Sequence, residues 1–177
     1  MNIFYLDRNP QVCAEYHCDK HVVKMIIEYA QLLSTAHRLC DGIESRGSSK
    51  SGKRQVRVWK LDDSRENSLY LVAHVNHPSN IWTRESIENY LWLWKLFYHL
   101  CKEYEKRYNK VHSTWEKLGY HLSIAPDKIP TIKETPIPLC MPDEYKTEDP
   151  IIAYQTFYRK EKVKFATWKN GVPHWFK

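Results

Sequence analysis

The sequence predicts an all-α protein: one compact domain of three to four main helices joined by long irregular loops. Apolar and aromatic residues recur at three- and four-residue spacing over long stretches, which is the period of an amphipathic helix. Asn9-Pro10 and Asp149-Pro150 each place an N-cap residue before a proline at the first helical position. Because 177 residues suffice for one domain with a sizeable core, we expect residues 1–177 to form a single helical domain.

Four helical segments follow from this periodicity. The first begins at Pro10 and ends before Asp41-Gly42, and the third carries a stripe of aromatic residues that we interpret as core. The last begins at Pro150 and ends before Gly171. The expected ranges are 10–38, 64–74, 79 or 83 to 108, and 150–170.

Two segments between these helices lack the helical period. Residues 42–60 are polar, basic and rich in glycine and serine, which predicts a mobile basic loop at the surface. Residues 123–148 contain Pro126, Pro130, Pro136, Pro138 and Pro142. That density of prolines opposes a regular helix and favours an extended wrap over the surface.

The composition indicates which partners and which cellular compartment suit this chain. The net charge is +6 and the isoelectric point about 9.0, which suits a polyanion such as DNA. Five cysteines without a CxxC motif favour a reducing compartment and argue against a zinc ribbon. Because the chain has neither a signal peptide nor an apolar run of about 20 residues, we expect a cytoplasmic protein without a membrane partner. Its oligomeric state is left open.

The stretch from His17 to His21 (His-Cys-Asp-Lys-His), followed by Lys24 and Glu28, carries the densest chemistry in the chain. If residues 10–38 form one helix, His17, His21, Lys24 and Glu28 share one face. Asp19 then falls within the apolar face, where an ionised carboxylate is costly unless it is paired. Asp19 is therefore either a structural partner of Arg84 or Lys20, or a carboxylate with a shifted pKa that serves acid–base chemistry.

Three interpretations fit the histidine face. His17 and His21 are spaced i, i+4 and can contact one ligand. With Lys20 and Lys24 beside them, they suit a phosphate, and Glu28 would be a positioning or basic group. The same spacing occurs in helical metal sites, although nearby lysines oppose a dication. The remaining interpretation is a solvated polar face.

Two further groups could contact a phosphate backbone. His77 precedes the third helix, whose amide groups could bind an anion, and Trp82, Arg84 and Asn89 follow within that helix. Trp82 or Trp92 could stack on a base. The basic loop contributes Lys50, Lys53, Arg54 and Arg57. Both groups also fit structural roles, as a capped turn and as a solvated loop.

The layout resembles that of the small all-α pyrimidine-dimer DNA glycosylases of phages, the endonuclease V type. The similar features are the apolar start at residues 1–6, the segment 14–17, and His77-Pro78 before a long helix ending at residues 104–108. The aromatic, basic tail at 167–177 is a further one. The opening residues and the stretch from His17 to His21 also resemble phage proteins, which implies a viral origin and a place in the host cytoplasm, but no activity.

In that glycosylase family an N-terminal α-amine attacks C1′ of the sugar to form an imine, a helix carboxylate assists, and the target base is flipped out of the stack. The resemblance implies that Met1 supplies the amine and that Asp19, or else Glu28, supplies the carboxylate. The bulk of Asn2 implies that Met1 is retained, whereas the phage enzymes expose a threonine. The segment 42–60 has no clear counterpart in that family.

The sequence therefore predicts a DNA-acting enzyme, most concretely a base-excision glycosylase/lyase without a cofactor. One alternative is a metal-dependent nucleotide or nucleic-acid hydrolase that holds a divalent metal with His17 and His21. A second is a non-enzymatic viral protein that binds nucleic acid or a host factor. The expected catalytic residues are Met1, Asp19, Glu28, His17 and His21, and the expected phosphate-binding residues are Lys20, Lys24, Lys50, Lys53, Arg54, Arg57, His77, Trp82, Arg84 and Asn89.

Overall fold

The computed structural model describes residues 2–49 and 51–177, and within them it contains six α-helices and a two-stranded antiparallel sheet. Helical residues make up 53% of the chain. The all-α prediction with three or four main helices is therefore wrong, and the fold is mixed α/β. The elements are α1 (Pro10–Tyr16), α2 (Asp19–Asp41), β1 (Ile43–Ser48), β2 (Gln55–Lys60), α3 (Pro78–Glu85), α4 (Ile87–Tyr108), α5 (Ser113–Leu122) and α6 (Pro150–Lys162).

Both helix starts that combine an N-cap residue with a proline are confirmed. The Asn9 side chain accepts hydrogen bonds from the first backbone N–H groups of α1. Asp149 does the same for α6. Each proline occupies a position where the missing N–H would have no helical partner.

The first predicted helix is broken between α1 and α2, because His17 and Cys18 have extended backbone conformations. Contacts from distant residues satisfy the backbone groups freed by this break. The Cys18 N–H donates to the Tyr158 hydroxyl at 2.9 Å, and the Arg107 guanidinium donates to the His17 carbonyl at 2.8 Å. A single helical wheel over residues 10–38 therefore fails, and Ile27, which it places in the core, is 48% exposed.

The other predicted helices also change their bounds. Ser86 adopts an extended conformation and separates α3 from α4, capping α4 with its hydroxyl and donating to the Ile132 carbonyl at 2.6 Å. The predicted helix 64–74 is only a 3-10 turn, Ser64–Asn67. Arg38 binds the carbonyls of Glu66, Leu69 and Tyr70, which a helix would use internally. Helix α5, capped by His112, was not predicted.

Residues 42–60, expected to be a mobile loop, contain the β1–β2 hairpin, whose pairing runs from Ile43 opposite Lys60 to Ser48 opposite Gln55. The second strand alternates polar and apolar residues from Gln55 to Val58, which is the strand period. That signal was obscured by the glycine and serine residues between the strands.

The core forms where α2, α4 and α6 meet the N-terminal segment. Residues 3–6 are all buried. Phe4 packs edge-on against Tyr158 of α6, and Tyr5 packs against Trp92 of α4. Residues 123–148 contain one 3-10 turn, Asp143–Tyr145, and neither α-helix nor strand. No helix in the described part of the chain has both the length and the apolar character needed to cross a membrane.

Candidate functional site

His17 lies in the interior and not on a surface that could contact DNA. It is fully buried, with Nδ1 2.7 Å from the Cys13 carbonyl and Nε2 2.8 Å from the Tyr29 hydroxyl. Burial lowers the pKa of His17 to about 4, so the ring is neutral near pH 7. In that state Nδ1–H donates to the carbonyl and Nε2 accepts from Tyr29. Its predicted catalytic or metal-binding role conflicts with this placement.

Asp19 belongs to a structural ion-pair cluster. Its carboxylate accepts from Arg107 Nη1 at 3.2 Å and also from the Thr167 hydroxyl and the Lys169 backbone N–H. The Arg107 side chain is 1% exposed. In the described chain Asp19 forms an ion pair with neither predicted partner, Arg84 or Lys20, and the carboxylate that was the first catalytic candidate is occupied by structural bonds.

Arg107 joins this carboxylate to the break before α2. It also binds the Glu103 carboxylate at 2.9 Å and donates to the carbonyls of Glu15 and His17. We call Arg107 and these groups, including Asp19, the Arg107 cluster. Its charge-assisted hydrogen bonds fix the position at which α2 begins.

The second half of the polar stretch, from His21 to Glu28, borders a pocket. His21, Lys24 and Glu28 line a cavity of about 270 Å³, which we call the Glu28 pocket. This volume lies at the small end for ligand pockets and suits a group the size of one base or sugar. The other residues that line it are Asn2, Phe4, Met25, Phe157 and Lys162.

Aromatic rings form one side of the Glu28 pocket. The His21 ring stacks on Phe4 with centroids 4.7 Å apart and planes 16° from parallel, and Phe4 is 6.4 Å from Phe157. His21 is 5% exposed, and its Nδ1 atom is buried without a hydrogen-bond partner in the described chain. Burial, reinforced by nearby cations, lowers the pKa of His21 to about 3, so this ring is also neutral.

Charged groups stand at the rim of the same pocket. Lys24 Nζ lies 3.2 Å from the Glu28 carboxylate. Lys162 Nζ lies 4.7 Å from the centre of the Phe157 ring. Lys20, by contrast, lies over Phe165 at 4.7 Å and does not line the pocket. No pattern in the sequence indicated Phe4, Phe157 or Lys162, because they reach the pocket from the N-terminal segment and from α6.

The predicted group around α3 has structural roles. His77 caps α3 by accepting from the Ser79 N–H at 3.2 Å. Trp82 is 2% exposed and donates to the Thr135 carbonyl at 2.9 Å. The buried Asn89 amide makes three hydrogen bonds, to the Trp82 carbonyl and to Thr135. Trp82 and Asn89 are therefore not available to a phosphate, whereas His77 is partly exposed and uses Nδ1 for the cap. Trp92, which is 8% exposed, donates to the Arg8 carbonyl.

Arg84 is half-buried, and its Nη1 atom has no hydrogen-bond partner within the part of the chain that the structure describes. Burial lowers the pKa of its guanidinium. Among the predicted hairpin cations, Lys53 and Arg54 are exposed at the turn. Arg57 pairs with Glu44 through two hydrogen bonds of 2.6 and 2.7 Å. Met1 and Lys50 lie outside the described residues.

A second cavity, of about 290 Å³, lies between His37, Arg65 and α5. Arg65 donates to Asp41 at 2.6 Å and to His37 Nδ1 at 3.0 Å. His37 Nε2 then donates to the Tyr90 hydroxyl at 2.7 Å, which donates to the Leu122 carbonyl. Every polar group in this chain of bonds is satisfied, which indicates a structural network. No local pattern in the sequence indicated this network, because His37, Arg65 and Tyr90 come from three separate segments.

Within residues 2–49 and 51–177, no three His, Cys, Asp or Glu side chains come together so that they could hold a metal ion. His17 and His21 do not present their rings to one ligand, since His17 is bonded inside the core. Comparisons of this chain with protein-family models, with curated proteins and with solved structures found no significant match.

Proposed function

We propose that this protein is a DNA base-excision glycosylase/lyase whose reaction centre is the Glu28 pocket. The observation that carries the proposal is a carboxylate, stacked aromatic rings and primary amines around one small cavity. These are the groups needed to hold a flipped base and to attack its sugar. The proposal replaces Asp19 with Glu28 as the assisting carboxylate, because Asp19 is bound within the Arg107 cluster.

The aromatic side of the pocket supports the binding of a base. Phe4 and Phe157 present flat rings beside the cavity, and stacking of a base on such rings is worth about 1–3 kcal/mol. The His21 ring, whose buried Nδ1 has no hydrogen-bond partner in the described chain, stacks on Phe4 and extends this aromatic side of the pocket.

The charged rim supports a sugar–phosphate substrate. Lys24 and Lys162 bring two cations against the single Glu28 carboxylate, so the pocket has an excess of positive charge. A phosphate next to the flipped nucleotide would pair with either ammonium group. The neutral His21 ring adds no repulsion to this arrangement.

The reaction requires a neutral amine. Its nitrogen forms a bond to C1′ while the bond from C1′ to the base breaks, and the base leaves with that electron pair and takes a proton from water. Glu28 accepts the proton that the amine then loses and returns it to the ring oxygen as the sugar opens to the imine. The amines that line the pocket are Lys24 and Lys162.

The sequence-based candidate for the amine is the α-amine of Met1, whose unperturbed pKa of about 8 leaves a useful neutral fraction near pH 7. Met1 lies outside the described residues, and this role stays a prediction. Asn2, next to Met1 in the sequence, lines the pocket and donates to the Cys140 carbonyl at 2.8 Å.

Borohydride trapping tests the proposal. Duplex DNA with an abasic site, and duplexes with damaged pyrimidines, are incubated with the protein, and reduction fixes any imine as a covalent adduct. Peptide mapping of the adduct then identifies the amine as that of Met1, Lys24 or Lys162. We expect Glu28→Gln to lower the rate of adduct formation by about 10²–10⁴-fold, the usual range for a general acid–base group.

Two matched variants serve as controls. Glu105 pairs with Lys102 at 3.0 Å on the exposed side of α4, and Glu105→Gln should leave trapping unchanged. Asp19→Asn should lower the stability of the fold while the folded protein still traps. Absence of any adduct from a folded protein that binds the same DNA would refute the enzyme and leave a DNA-binding protein.

A further inference from the structure

The β1–β2 hairpin carries almost all of the net charge of the protein. Residues 43–60 contain six Lys or Arg residues and one Glu, a net charge of +5, whereas the whole chain carries +6. The other 159 residues are therefore nearly neutral, with a net charge of +1. A surface so unequally charged attracts a polyanion to one place.

The pairing of the strands places two of these cations side by side on one face. Arg46 lies directly opposite Arg57, and directly opposed residues of an antiparallel pair point to the same side of the sheet. Opposed like charges destabilise a hairpin unless counter-charges are present. Glu44 neutralises Arg57 only, and we find no ion pair for Arg46 within residues 2–49 and 51–177. An anion bound at this face would relieve the repulsion.

The hairpin is firmly joined to the body at its base. Arg38, which is 1% exposed, donates to the Trp59 carbonyl at 3.0 Å, and the Trp59 ring is 9% exposed. Gly42 packs so tightly that a Cβ atom there would collide with the Arg38 carbonyl. The outer part of the hairpin is open, since Arg46, Lys53, Arg54 and Arg57 are all exposed. The hairpin is therefore fixed at its base and accessible at its outer end.

We propose that this hairpin is an arm that enters the major groove of duplex DNA, with the Arg46–Arg57 face against phosphates. A two-stranded ribbon fits the B-DNA major groove, which is about 12 Å wide, but not the deep and narrow major groove of A-form RNA. The inference deepens the proposed function, because it names the surface that holds the DNA, and it rests on duplex DNA as the substrate. It does not depend on the chemistry of the Glu28 pocket.

The arm and the Glu28 pocket lie toward opposite ends of α2. From Glu28 to Gly42 the helix axis rises about 21 Å, which corresponds to about six base pairs of duplex. Substitutions in the arm therefore leave the pocket intact, and binding can be measured separately from catalysis.

Salt-dependent binding to an undamaged 20-base-pair duplex, followed by fluorescence anisotropy, tests the arm. We expect the double variant Arg46→Gln/Arg57→Gln to bind at least tenfold more weakly at 0.1 M salt. The slope of its plot of log affinity against log salt concentration should be shallower by about 1.8, because each lost phosphate contact lowers the magnitude of the slope by about 0.9. Lys53→Glu/Arg54→Glu at the exposed turn should also weaken binding, without touching a strand pair.

The matched control is Lys102→Gln/Lys106→Gln, which removes two exposed cations that pair with glutamates on α4 and should leave the slope within about 0.3 of the wild-type value. Unchanged affinity and slope in both arm variants, with circular dichroism like that of the wild type, would overturn the proposal. If the arm variants lose as much affinity for a duplex RNA of the same sequence as they lose for the DNA, insertion into the major groove is refuted. Because this duplex is undamaged, its binding is measured without catalysis, so a failure of the arm is distinguishable from a failure of the reaction in the Glu28 pocket.

Discussion

The Arg107 cluster and the Glu28 pocket contain residues from the two halves of one polar stretch, residues 17–28, but the two halves differ in how their polar groups are bonded. In the first half, the polar groups of His17 and Asp19 all have protein partners. In the second, His21 keeps an unpartnered nitrogen and Glu28 stands at the edge of a cavity. The difference shows that the density of ionisable residues in a sequence does not by itself mark a site. A buried polar atom without a partner beside a cavity, such as His21 Nδ1, is the more specific criterion.

The largest expected effect comes from breaking the Arg107 cluster. Arg107→Ala leaves the carboxylates of Asp19 and Glu103 without their buried partner, and we expect a loss of about 3–5 kcal/mol in the free energy of unfolding. Urea denaturation measures this loss. Lys106→Ala, one residue away and 62% exposed, should cost no more than about 0.5 kcal/mol. If both variants lose equally little, the cluster is not what holds the start of α2.

Replacement of His17 should have the next largest effect. His17→Phe removes the hydrogen-bond partners of the Tyr29 hydroxyl and the Cys13 carbonyl, both buried. We expect the free energy of unfolding to fall by about 2–3 kcal/mol, because unsatisfied buried polar groups are costly. The measurement is again urea denaturation, and a neutral result would contradict the assignment of His17 to the interior.

Acid should destabilise the protein through its buried histidines. Burial lowers the pKa of His17 to about 4 and that of His21 to about 3, from 6.5, so the unfolded chain binds more protons between these values. Stability is therefore complete above about pH 7 and falls with pH through the range 6.5 to 4, by up to about 1.4 kcal/mol per pH unit for each histidine. His17→Phe should remove one such contribution from the slope. A pH-independent free energy of unfolding over this range would contradict the placement of both rings.

The smallest effect is expected at the pocket. His21→Phe keeps a flat ring against Phe4 and removes a buried nitrogen that has no partner. The free energy of unfolding at pH 7 should change by no more than about 0.5 kcal/mol. A loss as large as that of His17→Phe would erase the distinction between the two halves of the stretch.

Patterns of neighbouring residues correctly predicted the features that depend only on interactions between near neighbours in the chain. Asn9-Pro10 and Asp149-Pro150 begin their helices as expected, because an N-cap bonds only to residues two or three positions ahead. The break at His17 was not predictable, since it depends on Arg107, 90 residues away, and on Tyr158.

The Glu28 pocket, too, was predicted only where its residues are neighbours in one helix. His21, Lys24 and Glu28 could be placed on one side from their spacing, because all three lie within α2. The rings and the second lysine that complete the pocket come from other segments. Their approach to α2 is set by the packing of the whole core, which no local pattern in the sequence encodes.

The five N–H groups of Arg38 have a consequence for local unfolding. They hold the Trp59 carbonyl at the end of β2 and, at the same time, the Glu66 side chain and the carbonyls of residues 66, 69 and 70. A single guanidinium thus holds two consecutive segments, the end of β2 and residues 66–70, against α2. If Arg38 is displaced, the carbonyls of both segments lose their partner together. Amide hydrogen exchange should therefore report one joint opening of the hairpin base and the following connection, with a common free energy.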